Sequence, residues 1–221
     1  MLILEKVSKT YPIKSGNVLA LDNVSFQVKE GELLVIRGPS GSGKTTLLFS
    51  IGGMLRPTEG KVVASSRDIY AMSKRERAKF RAKNIGFVFQ MFHLIPYLNI
   101  IENVLLPAGV GSNQYGLKDA KELLERLNLS DRMYHKPSEL STGERQRTAM
   151  ARAMLKHPKI ILADEPTGNL DPENSEEIIE HLAEFQRGGS TVIVVTHGVE
   201  VDKYADRIIY LKKGRINRAG N

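Results

Sequence analysis

The run Gly38-Pro39-Ser40-Gly41-Ser42-Gly43-Lys44-Thr45 constrains this chain more than any other stretch, because it satisfies every fixed position of the pattern G-x-x-x-x-G-K-[ST]. Three glycines within six residues let the backbone turn tightly and aim successive N–H groups inward, which makes a concavity for an anion. The apolar run Leu33 to Ile36 reads as the strand entering the loop, and Thr45, Thr46 and the residues to Ile51 read as the helix leaving it. The positive N-terminal end of that helix then points at phosphate. In this geometry Lys44 reaches the β- and γ-phosphates of a nucleotide and the Thr45 hydroxyl ligates Mg²⁺. A Gly/Ser-rich loop carrying a lysine by chance would lack the strand before it and the helix after it.

A chain of 221 residues suits one α/β domain and can bury a full core without staples. It has no cysteine, so neither disulfides nor thiolate metal sites contribute. The start, Met1-Leu-Ile-Leu-Glu5-Lys6, carries charge at once and does not read as a signal peptide. The longest apolar stretch, Leu94 to Leu106, is interrupted by Pro96, Glu102 and Asn103, well short of the roughly 20 residues that span a bilayer. Together these point to a soluble, cytoplasmic protein. The net charge of +7 leaves open solvated surface, an anionic membrane and nucleic acid. Basic residues cluster from Lys74 to Lys83 and from Lys212 to Arg218. The first cluster has the spacing of a solvated helix face and no interleaved aromatics on which bases could stack, so nucleic acid is not expected.

Alternating apolar and polar positions in Leu2 to Val7 and Ala20 to Val28 read as antiparallel strands, with Asn17 in the polar connection between them. Short strands are expected at Gly60 to Ala64 and at Ile85 to Phe89, the latter ending at Gln90. From 91 to 158 helical periodicity takes over, with Leu117, Leu123, Leu124 and Leu127 on one face and a second helix over Thr142 to Leu155. The α/β pattern then returns: a strand over Lys159 to Ala163, a helix over Pro172 to Arg187 and a strand over Thr191 to Val195. Apolar strands alternating with helices imply a mostly parallel sheet covered on both faces. The expected architecture is a phosphate-loop α/β core (1–90 and 159–221) with an N-terminal antiparallel β part and an inserted helical subdomain (91–158). There is no internal repeat.

The strand Ile160 to Ala163 runs into two adjacent carboxylates, Asp164 and Glu165. A buried strand delivers Asp164 rigidly toward an Mg²⁺ shell, and Glu165 can polarise an attacking water. With these residues the chain resembles the ATP-binding cassette (ABC) family over essentially its whole length. Leu140-Ser141-Thr142-Gly143-Glu144-Arg145-Gln146 is similar to the family signature, most often Leu-Ser-Gly-Gly-Gln, and Ser141 lies 97 residues after Lys44 and 23 before Asp164. Gln90 resembles the Q-loop glutamine, Gly168 to Asp171 the D-loop and His197 the switch histidine. Tyr11, 27 residues before Gly38, resembles the aromatic that stacks on adenine.

The resemblance implies an ATPase with ATP and Mg²⁺ as ligands. It implies a head-to-tail homodimer enclosing two nucleotides, each between one Lys44 loop and the partner's Ser141 loop. Gln90 contacts Mg²⁺ and the attacking water, and His197 hydrogen-bonds near the γ-phosphate. Two positions depart from the pattern: Thr142 adds a branched side chain where the backbone nears phosphate, and Glu144 adds negative charge in the helix's first turn. Gly86-Phe-Val-Phe-Gln90, Glu102-Asn-Val104 and Leu162 to Asp171 resemble the branch serving lipoprotein-releasing, macrolide-exporting and cell-division complexes. That branch implies a separate membrane permease, a place on the cytoplasmic face of the membrane, and export or extrusion of lipoproteins or lipophilic compounds. The alternative is an ATPase that regulates an extracytoplasmic enzyme, as in cell division, and transports nothing. ABC proteins acting on DNA or ribosomes carry long coiled coils or paired cassettes, and this chain shows neither.

Overall fold

Leu33, Val35 and their neighbours Leu34 and Ile36 are all fully buried, yet they belong to two separate cores. Leu33 and Val35 join one apolar cluster and Leu34 and Ile36 the other, as the two-residue period of a strand requires when both faces are covered. The same split recurs in Val192 and Val194 against Ile193 and Val195. This explains why the central strands read as unbroken apolar runs.

The structure, a computed structural model, describes residues 1–14, 16–109 and 115–217; Arg218, from the second basic cluster, lies outside them. The elements in order are β1 (Leu2–Ile13), β2 (Gly16–Val28), β3 (Leu33–Arg37), α1 (Lys44–Ile51), β4 (Glu59–Ala64), β5 (Arg67–Asp68), α2 (Lys74–Asn84) and β6 (Ile85–Phe89). Then come α3 (Ile100–Leu105), α4 (Leu117–Arg126), α5 (Thr142–Met154), β7 (Ile160–Asp164), α6 (Pro172–Arg187), β8 (Thr191–Thr196), β9 (Arg207–Lys212) and β10 (Arg215–Asn217). One sheet has the order β10-β9-β3-β8-β7-β6, parallel except for the edge strand β10. The other is antiparallel, in the order β2-β1-β4-β5. The helices α3, α4 and α5 pack on one face of the parallel sheet, while α1 and the antiparallel sheet cover the other. Among the described residues no helix is long and apolar enough to cross a membrane.

Several expectations need correction. Asn17 is not in a connection: β1 and β2 pair out to Ile13 and Gly16, with Pro12 opposite Asn17. Pairing of β1 with β4 stops at Ser8, so Pro12 sits where one edge of the strand is open and a missing N–H is tolerated. Leu117 is exposed although it lies on the apolar stripe, because it is the first residue of α4 and overhangs the core that Leu123, Leu124 and Leu127 fill. The run Lys74 to Lys83 is not uniformly solvated. Arg77 lies over the Tyr70 ring, 5.3 Å from its centre, and Arg81 donates to the Gly53 carbonyl, while Lys74, Arg75, Lys79 and Lys83 are exposed. Strands β5, β9 and β10 were not anticipated, being short or alternating apolar with basic residues.

Candidate functional site

The site forms where β3, β7 and β8 end at the same edge of the parallel sheet. After β3 the chain turns through Gly38 to Gly43, and α1 begins at Lys44. Gly43 holds a φ of +102°, and a Cβ there would lie 2.4 Å from the Ala20 carbonyl, so only glycine fits. The first turn of α1 has neither a side-chain cap nor an acidic residue. Its N–H groups are thus left to a ligand. Lys44 is buried, and its Nζ donates to the carbonyls of Gly38 (2.8 Å) and Pro39 (3.3 Å) and lies 3.4 Å from Glu165 Oε1.

From β7, Asp164 Oδ1 accepts a hydrogen bond from the Thr45 hydroxyl at 3.1 Å. An extended strand would send Asp164 and Glu165 to opposite faces, but Glu165 adopts a φ of +44° and the alternation breaks. The strained residue is held by its N–H bond to the Val195 carbonyl, 2.8 Å, and both carboxylates reach the phosphate-loop side. Glu165 Oε2 meets His197 Nδ1 at 2.9 Å and accepts the His197 N–H at 3.2 Å.

The two neighbouring acids are pushed apart electrostatically. Burial raises Asp164 above the usual carboxylate range, with the charge of Glu165 adding to it and the Thr45 hydrogen bond and Lys44 opposing. Burial also acts on Glu165, but hydrogen bonds from His197 and Thr196 and the charges of His197 and Lys44 outweigh it and hold Glu165 low. Glu165 is therefore ionised at neutral pH.

A cleft of about 600 Å³ collects Ser40, Gly41, Ser42, Gly43, Lys44, Thr45, Thr46, Gln90, Glu165 and His197 along one wall or another, together with Ala20 from β2. Gly38 and Pro39 contribute through the carbonyls that hold Lys44. Tyr11 does not line the cleft; it pairs with Val18 across the hairpin, under the Lys9 ammonium 5.2 Å from its ring centre. Asp171 does not line it either, and instead caps α6 by accepting the Asn174 N–H at 2.9 Å. Ser141, Thr142, Gly143 and Glu144 are likewise absent from the lining. They start α5, where Ser141 Oγ accepts the Glu144 N–H (3.2 Å), Glu144 Oε2 accepts the Ser141 N–H (2.7 Å) and Arg132 pairs with Glu144 at 3.0 Å. Thr142 is exposed, so its side chain is accommodated. Gly143 is the position without room, since a Cβ there would lie 2.1 Å from Asn174 Oδ1 on α6.

Sequence reasoning missed the residues that brace this arrangement. The fully buried Gln146 of α5 donates to the carbonyl of Pro166, the residue after Glu165, at 2.8 Å. Asn169 donates to the Gln90 carbonyl at 3.3 Å, and Arg152 of α5 donates to the carbonyls of Phe92 and His93 at 2.5 Å each. Their partners are 20 to 79 residues away in the chain, which no local pattern reveals.

A phosphate loop between a parallel strand and a helix, facing a strand that ends in Asp-Glu, defines a P-loop nucleoside triphosphatase with an added antiparallel sheet. The chain belongs to the ABC transporter family, whose model matches residues 21–168, and it is an ATP-hydrolysing cassette of that family. It is 44% identical to the ATP-binding cassette MJ0796 of Methanocaldococcus jannaschii. It matches the dimeric post-hydrolysis structure of MJ0796 bound to ADP and Pi with a TM-score of 0.91, covering 99% of this chain and 97% of that one. It is 42% identical to the lipoprotein-releasing system ATP-binding protein LolD of Shewanella oneidensis, over 97% of this chain and 94% of LolD. It is 44% identical to the macrolide export ATP-binding/permease protein MacB of Chlorobaculum tepidum, over 97% of this chain but 33% of that longer protein.

Proposed function

We propose that this chain is the ATPase subunit of a membrane export complex, working as a head-to-tail homodimer on the cytoplasmic face with a separate permease. The observation that carries the reading is the position of Glu165, ionised and held between Lys44 and His197 at the mouth of the phosphate-loop cleft, while the Ser141 end of α5 stays outside that cleft. A second copy, turned head to tail, would bring its Ser141 hydroxyl and the α5 dipole to the exposed side of the bound triphosphate. The Ser141 oxygen already accepts from Glu144, so its O–H remains free to donate to phosphate. Residues 91–158 then act as the subdomain that carries this second half-site.

Thr45 Oγ1 and Asp164 Oδ1, 3.1 Å apart, are the two hard oxygen donors that suit Mg²⁺, which is typically held by one or two protein oxygens plus phosphates and water. The ion would sit there beside Gln90 and neutralise phosphate charge. Lys44 leaves the loop carbonyls to pair with the β- and γ-phosphates. Glu165 accepts the proton of the attacking water, with Gln90 orienting that water and His197 holding the carboxylate and the γ-phosphate in register. Tyr11 is the adenine-stacking residue in this reading, and Asp171 lies at the dimer seam. Lipoproteins or lipophilic compounds are the proposed cargo, on the likeness to LolD and MacB.

Glu165→Gln tests the site. ATP binding is expected to survive, turnover to fall by at least about a hundredfold, and an ATP-bound dimer to accumulate in light scattering. Wild-type turnover in that variant would assign the base elsewhere.

The permease is proposed to dock beside Gln90 on the segment Met91 to Leu98, next to a groove of about 370 Å³ whose lining includes Phe87 and Phe89 of the edge strand β6, His93, Pro107 and Arg152. Of residues 91–98, His93 lines that groove, and Met91 and Tyr97 are exposed. Cysteines introduced at 91 and 97 are expected to crosslink to the permease in membranes. Crosslinking from Lys74 to Lys83 instead would move the docking surface to α2.

A further inference from the structure

Arg37, the last residue of β3, stands in register with Thr196 of β8, so it is adjacent in sequence to the phosphate loop and adjacent in space to the loop that carries His197. Its side chain is largely buried, at 15% exposure. One nitrogen donates to Asp202 Oδ2 at 2.9 Å, and the other donates to Asp202 Oδ1 at 2.5 Å and to the carbonyl of Gly198. This is a bidentate fork, the geometry in which arginine holds a carboxylate most firmly, with a backbone carbonyl added.

Besides this fork, the segment 197–202 is held by the His197 N–H bond to Glu165 Oε2 at 3.2 Å, by the buried Val201 side chain and by local bonds. The Gly198 N–H donates to Thr196 Oγ1 at 3.0 Å, and the Asp202 N–H donates to the Val199 carbonyl at 3.0 Å. His197 and Val199 are strongly exposed. The Arg37 fork ties two points of this short loop, Gly198 and Asp202, directly to the end of the central strand. The carbonyl it grips belongs to the residue immediately after His197, so a shift there moves the imidazole, whose Nδ1 lies 2.9 Å from Glu165.

We propose that Arg37 is a positioning residue for ATP hydrolysis, which through Gly198 and Asp202 fixes the loop that holds His197 against Glu165. The inference rests on the reading that Glu165 and His197 serve hydrolysis. It assigns Arg37 no contact with nucleotide, because both terminal nitrogens of its guanidinium are engaged by the loop. Misplacing a catalytic group by about 1 Å can lower turnover by one to two orders of magnitude without altering ground-state binding.

Removing Asp202 alone would strand the largely buried Arg37 charge, so the informative variants are Arg37→Met/Asp202→Ala, which removes both, and Arg37→Lys, which keeps the charge but not the fork. For the double variant kcat is expected to fall about tenfold while KM for ATP stays within about twofold, and Arg37→Lys is expected to fall in between. Built into His197→Ala, the double substitution is expected to lower kcat no further, since it acts through the ring. A pair that merely stabilised the fold would lower the melting midpoint and reduce activity equally in both backgrounds, and that result overturns the proposal. Wild-type kcat in folded Arg37→Lys and double variants also overturns it, with the site reading left standing if His197→Ala is still impaired. If His197→Ala hydrolyses ATP at the wild-type rate, the site reading falls and the proposal with it.

Discussion

The starts of α1 and α5 are both aimed at phosphate in this reading, yet the chain treats them differently. At α5 the orphan N–H groups are met from within: Ser141 and Glu144 cap one another, and Arg132 braces Glu144. The same reciprocal cap recurs at α2 through Ser73 and Glu76 and at α3 through Asn99 and Glu102. Asp119 and Asp171 serve α4 and α6. Among the described residues α1 is the helix left with neither a side-chain cap nor an acid in its first turn. Forgoing a cap costs about 1 kcal/mol, and doing so at one helix while giving four a side-chain cap and α4 a first-turn acid marks that helix as completed by a ligand. On the proposed site, the difference teaches that affinity for the triphosphate would be concentrated at α1. In the proposed head-to-tail dimer the α5 start, already self-satisfied and carrying a negative charge, would add a weaker second hold once two chains meet.

The strongest break in this comparison is Lys44→Ala. The variant keeps the uncapped helix start but loses the one buried cation of the loop, so ATP affinity and turnover are expected to fall by at least about a hundredfold each. Fluorescent-nucleotide titration and steady-state phosphate release read the two. A variant that kept both would show that the α1 dipole alone suffices.

How much of this was legible in the sequence follows the same division. The phosphate loop is a local pattern in which glycine spacing, lysine and hydroxyl are set by backbone geometry, and the structure gathers those residues around one cleft. Asp164 and Glu165 were visible because a buried parallel strand is an apolar run with an abrupt polar end. What could not be read is whatever depends on distant partners. Arg37 carried no signal in the sequence, because its partners Gly198 and Asp202 lie 161 and 165 residues further on. Arg77 and Arg81 looked solvated because helical spacing says which face they share and not that Tyr70 and Gly53 wait beneath it. That Gly143 has no room for a side chain was equally hidden, because Asn174 of α6, which a Cβ there would meet, lies 31 residues further on.

The smallest expected effect is the most discriminating, because Glu144→Gln makes the α5 start more like that of α1. Glutamine can still accept the Ser141 N–H, so the cap is retained and only the charge is removed. Burial opposes ionisation of Glu144, but the Ser141 hydrogen bonds and the Arg132 guanidinium outweigh it and hold the carboxyl below its ordinary value of 4.5. A group lowered on folding stabilises the folded state above its unfolded value and loses that contribution as pH falls through the folded one. Wild type is therefore expected to exceed Glu144→Gln in stability by roughly 0.5 kcal/mol at pH 7, with the gap closing below about pH 4.5 and shrinking in high salt. Chemical denaturation of the two proteins across pH 3 to 7 measures it. Removing the same charge should strengthen the hold of α5 on the partner's triphosphate, so ATP-dependent dimerisation in the Glu165→Gln background is expected to tighten by a few-fold. If the stability gap ignores pH, Glu144 does not act there as a charge. If dimerisation weakens instead, Glu144 acts as a contact in the dimer, and the contrast between the two helix starts no longer ranks their hold on phosphate.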